Sequence, residues 1–557
     1  MEAGKRRITD IFTQTRILEI PFFQRSYVWD EPNWDRFIED MINVSQYRKD
    51  YFMGSVILKQ LNQPSNNGIG DWRIVVDGQQ RLTTIILLFK LLHELNPEND
   101  FQRLFYNIKK ELSFKHNHSD IRIFETILQN ELNDDLLAEF QNHNILKCYQ
   151  YFQKYIDDIQ KIDYGALLTC LYFVGIDLSP GEDEQQIFDT INSLGVYLTT
   201  AELLKNYLFS RSEIDYFNTT WKQTFEKDES IREYWEQDLT SGRRDRMTID
   251  LFLQSFLLIK SKANTKYAGI ESLFSNYKKY LDEGSIDQKE FIKGMMTYAE
   301  IFRLNIDPEC VNEDIERTSA INRLGVIIFG LDTTTVVPYI LYVLNNVSNK
   351  EEQHAIFSYL ESYLMRRLIC KDTTKNYNNF FSSLIRNEIN TKNKLMKQIS
   401  SSEENTTRMP VDEDLKNAFN DSVLSNQQAK TVLYMIELSI RSHKDATTLL
   451  PYNRYSLEHL LPKKWRNNWK DVKNGDDADY RDKIKLKLGN LAIIPQKLNS
   501  SLSDAKWKTK VSEKGLKAHS SGIKTLEKYL ELEFWNETQI IKRGKDLCTH
   551  ALKIWPL

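Results

Sequence analysis

The chain has 557 residues, 41% hydrophobic and 27% charged, a globular balance too long for one core, so two or three domains are expected. No run of about 18 apolar residues occurs, and the start, MEAGKRRITD, lacks a signal-peptide apolar core, which argues against membrane insertion and secretion. The net charge of −4 hides a division: Pro451–Leu557 carries 22 Lys and Arg against 13 Asp and Glu, the remainder 52 against 65, so a basic terminal segment suited to a polyanion follows an acidic body.

Along the chain, the first cluster of interest is Ile20–Trp29, IPFFQRSYVW, which gathers Gln24, Arg25, Tyr27 and Trp29. Strands are expected at Met53–Lys59 and Trp72–Val76. The second runs into Asp77-Gly78-Gln79-Gln80-Arg81 and then LTTIILLFKLLHEL, which reads as strand, tight turn at Gly78 and buried helix. Exposed amides and the dipole at a helix start attract anions, and an arginine grips a phosphate at two points. Thr83 and Thr84 add hydroxyls in the first turn, so Asp77, Gly78, Gln79, Gln80, Arg81 and Thr83 are candidates for a phosphate site. An aromatic beside arginines suits a nucleotide or an extruded strand. The competing reading is an arginine that only braces the turn. No GxxxxGK[ST] loop is present, which excludes a Walker-type ATPase.

His116-Asn117-His118 spells HNH by accident and is expected in a solvated loop. Gln185–Ser210 reads as a helix interrupted at Gly195, with Thr199 or Thr200 as N-cap of its second piece and Glu202 in the first turn. From 211 to 445, apolar residues at helical spacing with few strand signals predict a helical coupling region, whose most polar stretch, Ser400–Thr407, reads as an exposed loop. From 446 the short apolar segments between turns predict a hairpin and a helix. The expected domains are therefore 1–210, 211–445 and 446–557. Five scattered cysteines without a CxxC pair suggest neither disulfides nor a zinc ribbon and fit a reducing cytoplasm.

The terminal segment holds YSLEHLLPKKW at Tyr455–Trp465 and LGNLAIIPQKLNSSLSDAKWKTK at Leu488–Lys510. Phosphodiester hydrolysis needs an activated water, a cation on the phosphate and stabilisation of the leaving oxygen. On an extended segment Glu458 and His459 leave on opposite sides, so one can bind a metal while the other reaches a water. A neutral imidazole is a suitable general base near pH 7. A hard cation such as Mg²⁺ accepts a carboxylate and an amide oxygen, which Glu458 and Asn499 offer. Lys506, Lys508 and Lys510 follow as candidates for phosphate contacts on DNA.

These residues resemble a known family. LEHLLPKKW…LGNLAII…N is similar to the HNH or His-Me finger nucleases, specifically the C-terminal nuclease domain of GmrSD-like restriction enzymes. IPFFQRSYVW, VDGQQRLTT and FDTINSLGVYLTTAELLKNYLF resemble the ParB/sulfiredoxin-like N-terminal domain of the same proteins, so the likeness covers about 1–210 and 450–510. The fold it implies is α+β and predominantly helical: a ParB/sulfiredoxin-like α/β domain, a helical middle and a small ββα-metal domain. It implies Glu458 and Asn499 as ligands of Mg²⁺ or Mn²⁺, His459 as general base and Asn490 as the brace of the hairpin. A connection of about thirty residues between His459 and Asn490, including NGDDADY, departs from the compact family pattern.

In the N-terminal domain the resemblance assigns Gln24, Arg25 and Asp77–Arg81 to binding and hydrolysis of a nucleoside triphosphate (GTP, UTP or ATP), or to sensing modified DNA. Asn192, Gly195, Glu202, Lys205 and Asn206 match its third motif, with helix packing the expected role for most of them. The implied protein is a cytoplasmic anti-phage endonuclease of the type IV-like restriction class, acting on modified or foreign double-stranded DNA, with NTP near Arg81 and Arg25 licensing cleavage. A homo-oligomer is compatible with it. A ParB-like regulator that grips DNA without cutting is the rival, and only Glu458, His459 and Asn499 separate the two.

Overall fold

The computed structural model describes residues 2–21, 24, 26–61, 71–179, 199–209, 213–241, 244–267, 269, 272–400, 406–441, 449–469, 475–518 and 523–557. They fall into two compact units, Met1–Phe217 and Asn218–Leu557. The fold is α+β and predominantly helical.

In the first unit β1 (Glu2–Arg7), β2 (Arg16–Glu19), β3 (Tyr51–Gln60), β4 (Asp71–Asp77), β5 (Phe114–Lys115) and β6 (Leu171–Leu178) form one mixed sheet. Its order is β1-β6-β3-β4-β2-β5, with β3 parallel to β6 and antiparallel to β4. The strands expected at 53–59 and 72–76 are the centres of β3 and β4. EAGKRR in β1 has no apolar alternation, and the mainly apolar LYFVGIDL of β6 lacks a period of two, so neither carries a strand signal in the sequence. Val56, Leu58 and Val75 face a core built on the helix Gln79–Leu95, which is buried from Leu82 to Leu92. Against it pack the helices Asn144–Lys154 and Glu31–Tyr47, whose Trp34, Phe37, Met41 and Val44 make one apolar stripe at three- and four-residue steps. Each such side chain, fully buried, contributes about 1.5–3 kcal/mol.

The second unit is mostly helical, as expected, with one addition: β7 (Asp238–Ser241) and β8 (Arg244–Met247) form a small antiparallel hairpin. Its terminal part contains β9 (Tyr455–His459) and β10 (Leu491–Pro495), paired antiparallel with His459 opposite Leu491, followed at once by the helix Gln496–Leu502. The long connection does not prevent the pairing, because the helix Gly475–Ile484 takes up part of it and Asn490 ties its ends.

Residues 218–445 and 446–557 lie in one compact unit. Glu437, on the helix Asn426–Ile440, accepts from the backbone N–H of Lys524 (3.1 Å) and Thr525 (2.7 Å). Arg543, buried in the helix Glu537–Ile554, donates to the carbonyls of Gly489 (3.0 Å), Leu491 (2.6 Å) and Thr525 (3.2 Å). That helix approaches so closely that a Cβ on Gly489 would lie 2.1 Å from the Ile540 carbonyl oxygen, so only glycine fits there. Among the described residues no helix is long and apolar enough to cross a membrane.

Candidate functional site

At the first motif β4 ends in Asp77, Gly78 turns the chain at φ 100°, and the helix begins at Gln79. The Asp77 carboxylate accepts from the Ser55 hydroxyl (2.7 Å) and from Arg81 (3.0 Å). The Arg81 guanidinium lies on Gly54, itself at φ 101°, where a Cβ would meet Nη1 at 2.0 Å. Gln80 closes over the preceding loop: its Oε1 accepts from the Val28 N–H (2.9 Å) and its Nε2 donates to the Ser26 carbonyl (3.4 Å).

The remaining motif residues point inward. Gln79 and Thr83 are buried, and the Thr83 hydroxyl donates to the Gln79 carbonyl (2.8 Å) beside His116 Nε2 (2.9 Å). Tyr27 is buried too, its hydroxyl paired with Thr84 (2.6 Å) and accepting from Trp34 Nε1 (2.9 Å), so it braces the loop instead of facing a ligand. Gln24 is 7% exposed, and its Oε1 has no hydrogen-bond partner among the described residues. Arg25, Asn192 and Gly195 lie outside the described residues. Thr199 caps its helix as the sequence suggests, accepting from the Glu202 N–H (3.2 Å) while Glu202 accepts from the Thr199 N–H (2.7 Å). Lys205 is buried, and Asn206 is half-buried on the same helix.

The accidental HNH tripeptide is not a solvated loop. His116 and Asn117 are buried, and they hold Asp120, whose Oδ2 accepts from the Tyr27 N–H (2.7 Å) and Asn117 Nδ2 (3.3 Å). His116 and His143 flank that carboxylate, each at 3.3 Å. Burial pushes the His116 imidazole down to about 4. Burial opposes the charge on Asp120, but His143, His116 and the Tyr27 N–H hold it below its ordinary value. No sequence signal pointed here, since Tyr27, Asp120 and His143 are far apart in order.

In the second unit Asn490, wholly buried, is a brace in the literal sense. Its Oδ1 accepts from the Leu461 N–H (2.8 Å) and Trp535 Nε1 (2.9 Å), and its Nδ2 donates to the carbonyls of Leu461 (2.9 Å) and Lys485 (2.8 Å). It fixes the end of β9, where His459 projects half-buried. No hydrogen-bond partner holds that imidazole among the described residues. Burial first, then Lys463, Lys510 and Lys485, lower it to about 4, so it is neutral at pH 7.

Glu458 leaves β9 on the other face, with Ser456. Asn499 reaches this strand from the helix Gln496–Leu502, donating its Nδ2 to Ser456 Oγ (3.0 Å) and the Leu457 carbonyl (3.2 Å). Glu458 is buried and pairs with the ammonium of Lys510, which also donates to the His459 carbonyl (2.8 Å). Burial raises the Glu458 carboxyl and lowers the Lys510 ammonium, each partly restored by the other.

Lys510 therefore faces the interior and does not reach a DNA phosphate. It shares its inward side with Trp507, three residues earlier, while Lys506 and Lys508 are exposed. Among the described residues no three His, Cys, Asp or Glu side chains converge as a metal cluster. Yet the oxygens of Glu458 and the His459 carbonyl already hold one cation, the Lys510 ammonium. A carboxylate, a backbone carbonyl and the Asn499 amide, which is tied to the same strand, are oxygen donors of the kind a hard divalent ion takes.

Comparison with protein-family models gives two matches. Residues 8–209 match the GmrSD restriction endonuclease N-terminal domain, and residues 409–550 match the GmrSD restriction endonucleases C-terminal domain, together well over half of the chain. The second match begins well before 446 and takes in the helices Asp412–Asp421 and Asn426–Ile440, which pack against Glu537–Ile554. No curated protein matches the chain significantly.

Proposed function

The chain belongs to the GmrSD restriction endonuclease family, and from that premise we propose that its terminal hairpin hydrolyses DNA by general-base chemistry under control of the N-terminal motif region. His459 carries this reading: an imidazole at a braced strand end, neutral at pH 7, in basic surroundings. Such a group takes the proton from a water attacking phosphorus. Exposed Lys463, Lys506 and Lys508 hold the DNA backbone by charge. Asn490 keeps His459 in position without touching substrate.

Glu458 and Asn499 are the residues that would hold Mg²⁺ or Mn²⁺, which when bound supplies Lewis-acid stabilisation of the phosphate. Lys510 is then a competitor for Glu458. In the first unit, Gln24 Oε1, buried with no hydrogen-bond partner among the described residues, and Arg81 support a ligand at the N-terminal motifs. That ligand is GTP, UTP or ATP, hydrolysed there, or the modified DNA itself. The biological setting we propose is cytoplasmic defence against modified phage DNA, in keeping with five unpaired cysteines.

Supercoiled plasmid and phage DNA with altered bases or backbone, incubated in Mg²⁺, Mn²⁺ or EDTA with and without NTP, test this directly. The expected result is metal-dependent breaks on at least one modified DNA, absent in EDTA and absent for His459→Ala. A mobility shift without breaks on every DNA and in every metal would replace the nuclease with a binding regulator.

A further inference from the structure

The second unit contains a cavity of about 450 Å³ that belongs to neither motif region. It opens where four helices meet: the start of Ala320–Gly330, the side of Lys350–Ile369, and the ends of Asn426–Ile440 and Glu537–Ile554. Arg441, held by Glu437 of the helix Asn426–Ile440 (3.6 Å), lines it with Arg317, Arg323, Lys553 and one carboxylate, Glu361. That carboxylate is already committed: it holds Arg323 at two points and accepts from Trp555 Nε1 (2.9 Å). Arg317 and Lys553 make no ion pair among the described residues.

Arg323 and Arg441 are paired, so Arg317 and Lys553 carry the unbalanced charge, which an anion of several charges relieves. Ala320, the first residue of its helix, also lines the cavity, so the amides of that helix start add to the attraction. Thr318, Ser358 and Ser439 supply hydroxyls and His354 an imidazole, and no Phe, Tyr or Trp side chain is among the lining residues. The chemistry is that of phosphate groups and not of base recognition.

We propose that this cavity binds a small polyphosphate anion, the di- or triphosphate part of a nucleotide, and that its occupancy is felt at the nuclease hairpin. The mechanical link is the helix Asn426–Ile440. It contributes Ser439 to the cavity, ends at Arg441, and packs along both β9 and β10, with Tyr434 against Tyr455 (ring centroids 6.0 Å apart). The second half of the proposal rests on the hairpin being the cutting site; the first half does not.

The test is calorimetric titration of sodium triphosphate into the full chain carrying Arg81→Ala, which silences binding at the DGQQR turn. The same titration follows with Arg317→Ala and Lys553→Ala added. Both added changes are at the cavity's outer rim, and a thermal melt checks that folding is kept. Triphosphate binding by the first chain, weakened at least tenfold in the second, is the expected result. Absence of binding in the first chain, or equal binding by both, overturns the site. If a short DNA duplex displaces the triphosphate, the cavity grips a nucleic-acid backbone and the small-ligand assignment fails. Amide exchange at Tyr455–His459 should slow when triphosphate saturates; unchanged exchange removes the link to the hairpin, whatever the fate of the cutting activity.

Discussion

The two motif regions spend their polar residues differently. In the first unit Gln80, Thr83 and Tyr27 are consumed in holding loops to one another, and Arg81 is held between Asp77 and Gly54. In the second, Asn490, Arg543 and Asn499 brace the hairpin, and the His459 imidazole has no hydrogen-bond partner among the described residues. A motif written in polar letters thus describes a scaffold in one place and an unengaged imidazole in the other. Only the partners of each side chain tell which.

The sharpest way to test this contrast is His459→Ala, which should lower cleavage by about 10³-fold with an unchanged melting curve. An equal loss of folding would make His459 one more brace. Asn490→Ala should do the reverse, costing about 3 kcal/mol through the partners it leaves buried and unpaired, read as a lowered melting temperature of the second unit.

In the first unit the bracing network should reveal itself through pH. Free His116 takes a proton near 6.5, but the folded protein refuses it until about 4. The unfolded chain binds more protons in that window, so stability falls as pH drops through it, by up to about 3 kcal/mol. His116→Gln should flatten the slope in a calorimetric pH series; an unchanged slope would remove His116 from the network. Smallest in energy is Gly54→Ala, costing about 1–2 kcal/mol for its backbone conformation. Because Arg81 must move, it should also abolish any NTP dependence of cleavage, and an NTP response kept intact would mean Arg81 does not contact nucleotide.

Much of this was legible from local pattern. A short β-rich run followed by glycine and a long apolar stretch announces β4, the turn and the helix at Gln79, and Thr199 with Glu202 announces a helix start. Glu458 and His459 read correctly as neighbours on an extended segment, because strand geometry alone separates them. Lys506, Lys508 and Lys510 were grouped by proximity, yet residues two apart on a helix do not share a face, and burial of Trp507 carries Lys510 inward. Burial of His116 and Asn117 depends on Tyr27 and His143, and the polyanion cavity on residues spread from 317 to 553; neither leaves a local trace.

The tryptophan near the chain's end has a practical consequence for dissection. Trp555 gives its carbonyl to Arg366 (2.7 Å) and its indole N–H to Glu361, both on the helix Lys350–Ile369. A fragment expressed from residue 446 onward would carry a large ring stripped of its seat, and the matching fragment would keep a buried guanidinium robbed of an acceptor. Assays on such a terminal fragment would therefore measure a wounded protein, and shortening the tail by three residues would injure a region some 190 residues upstream.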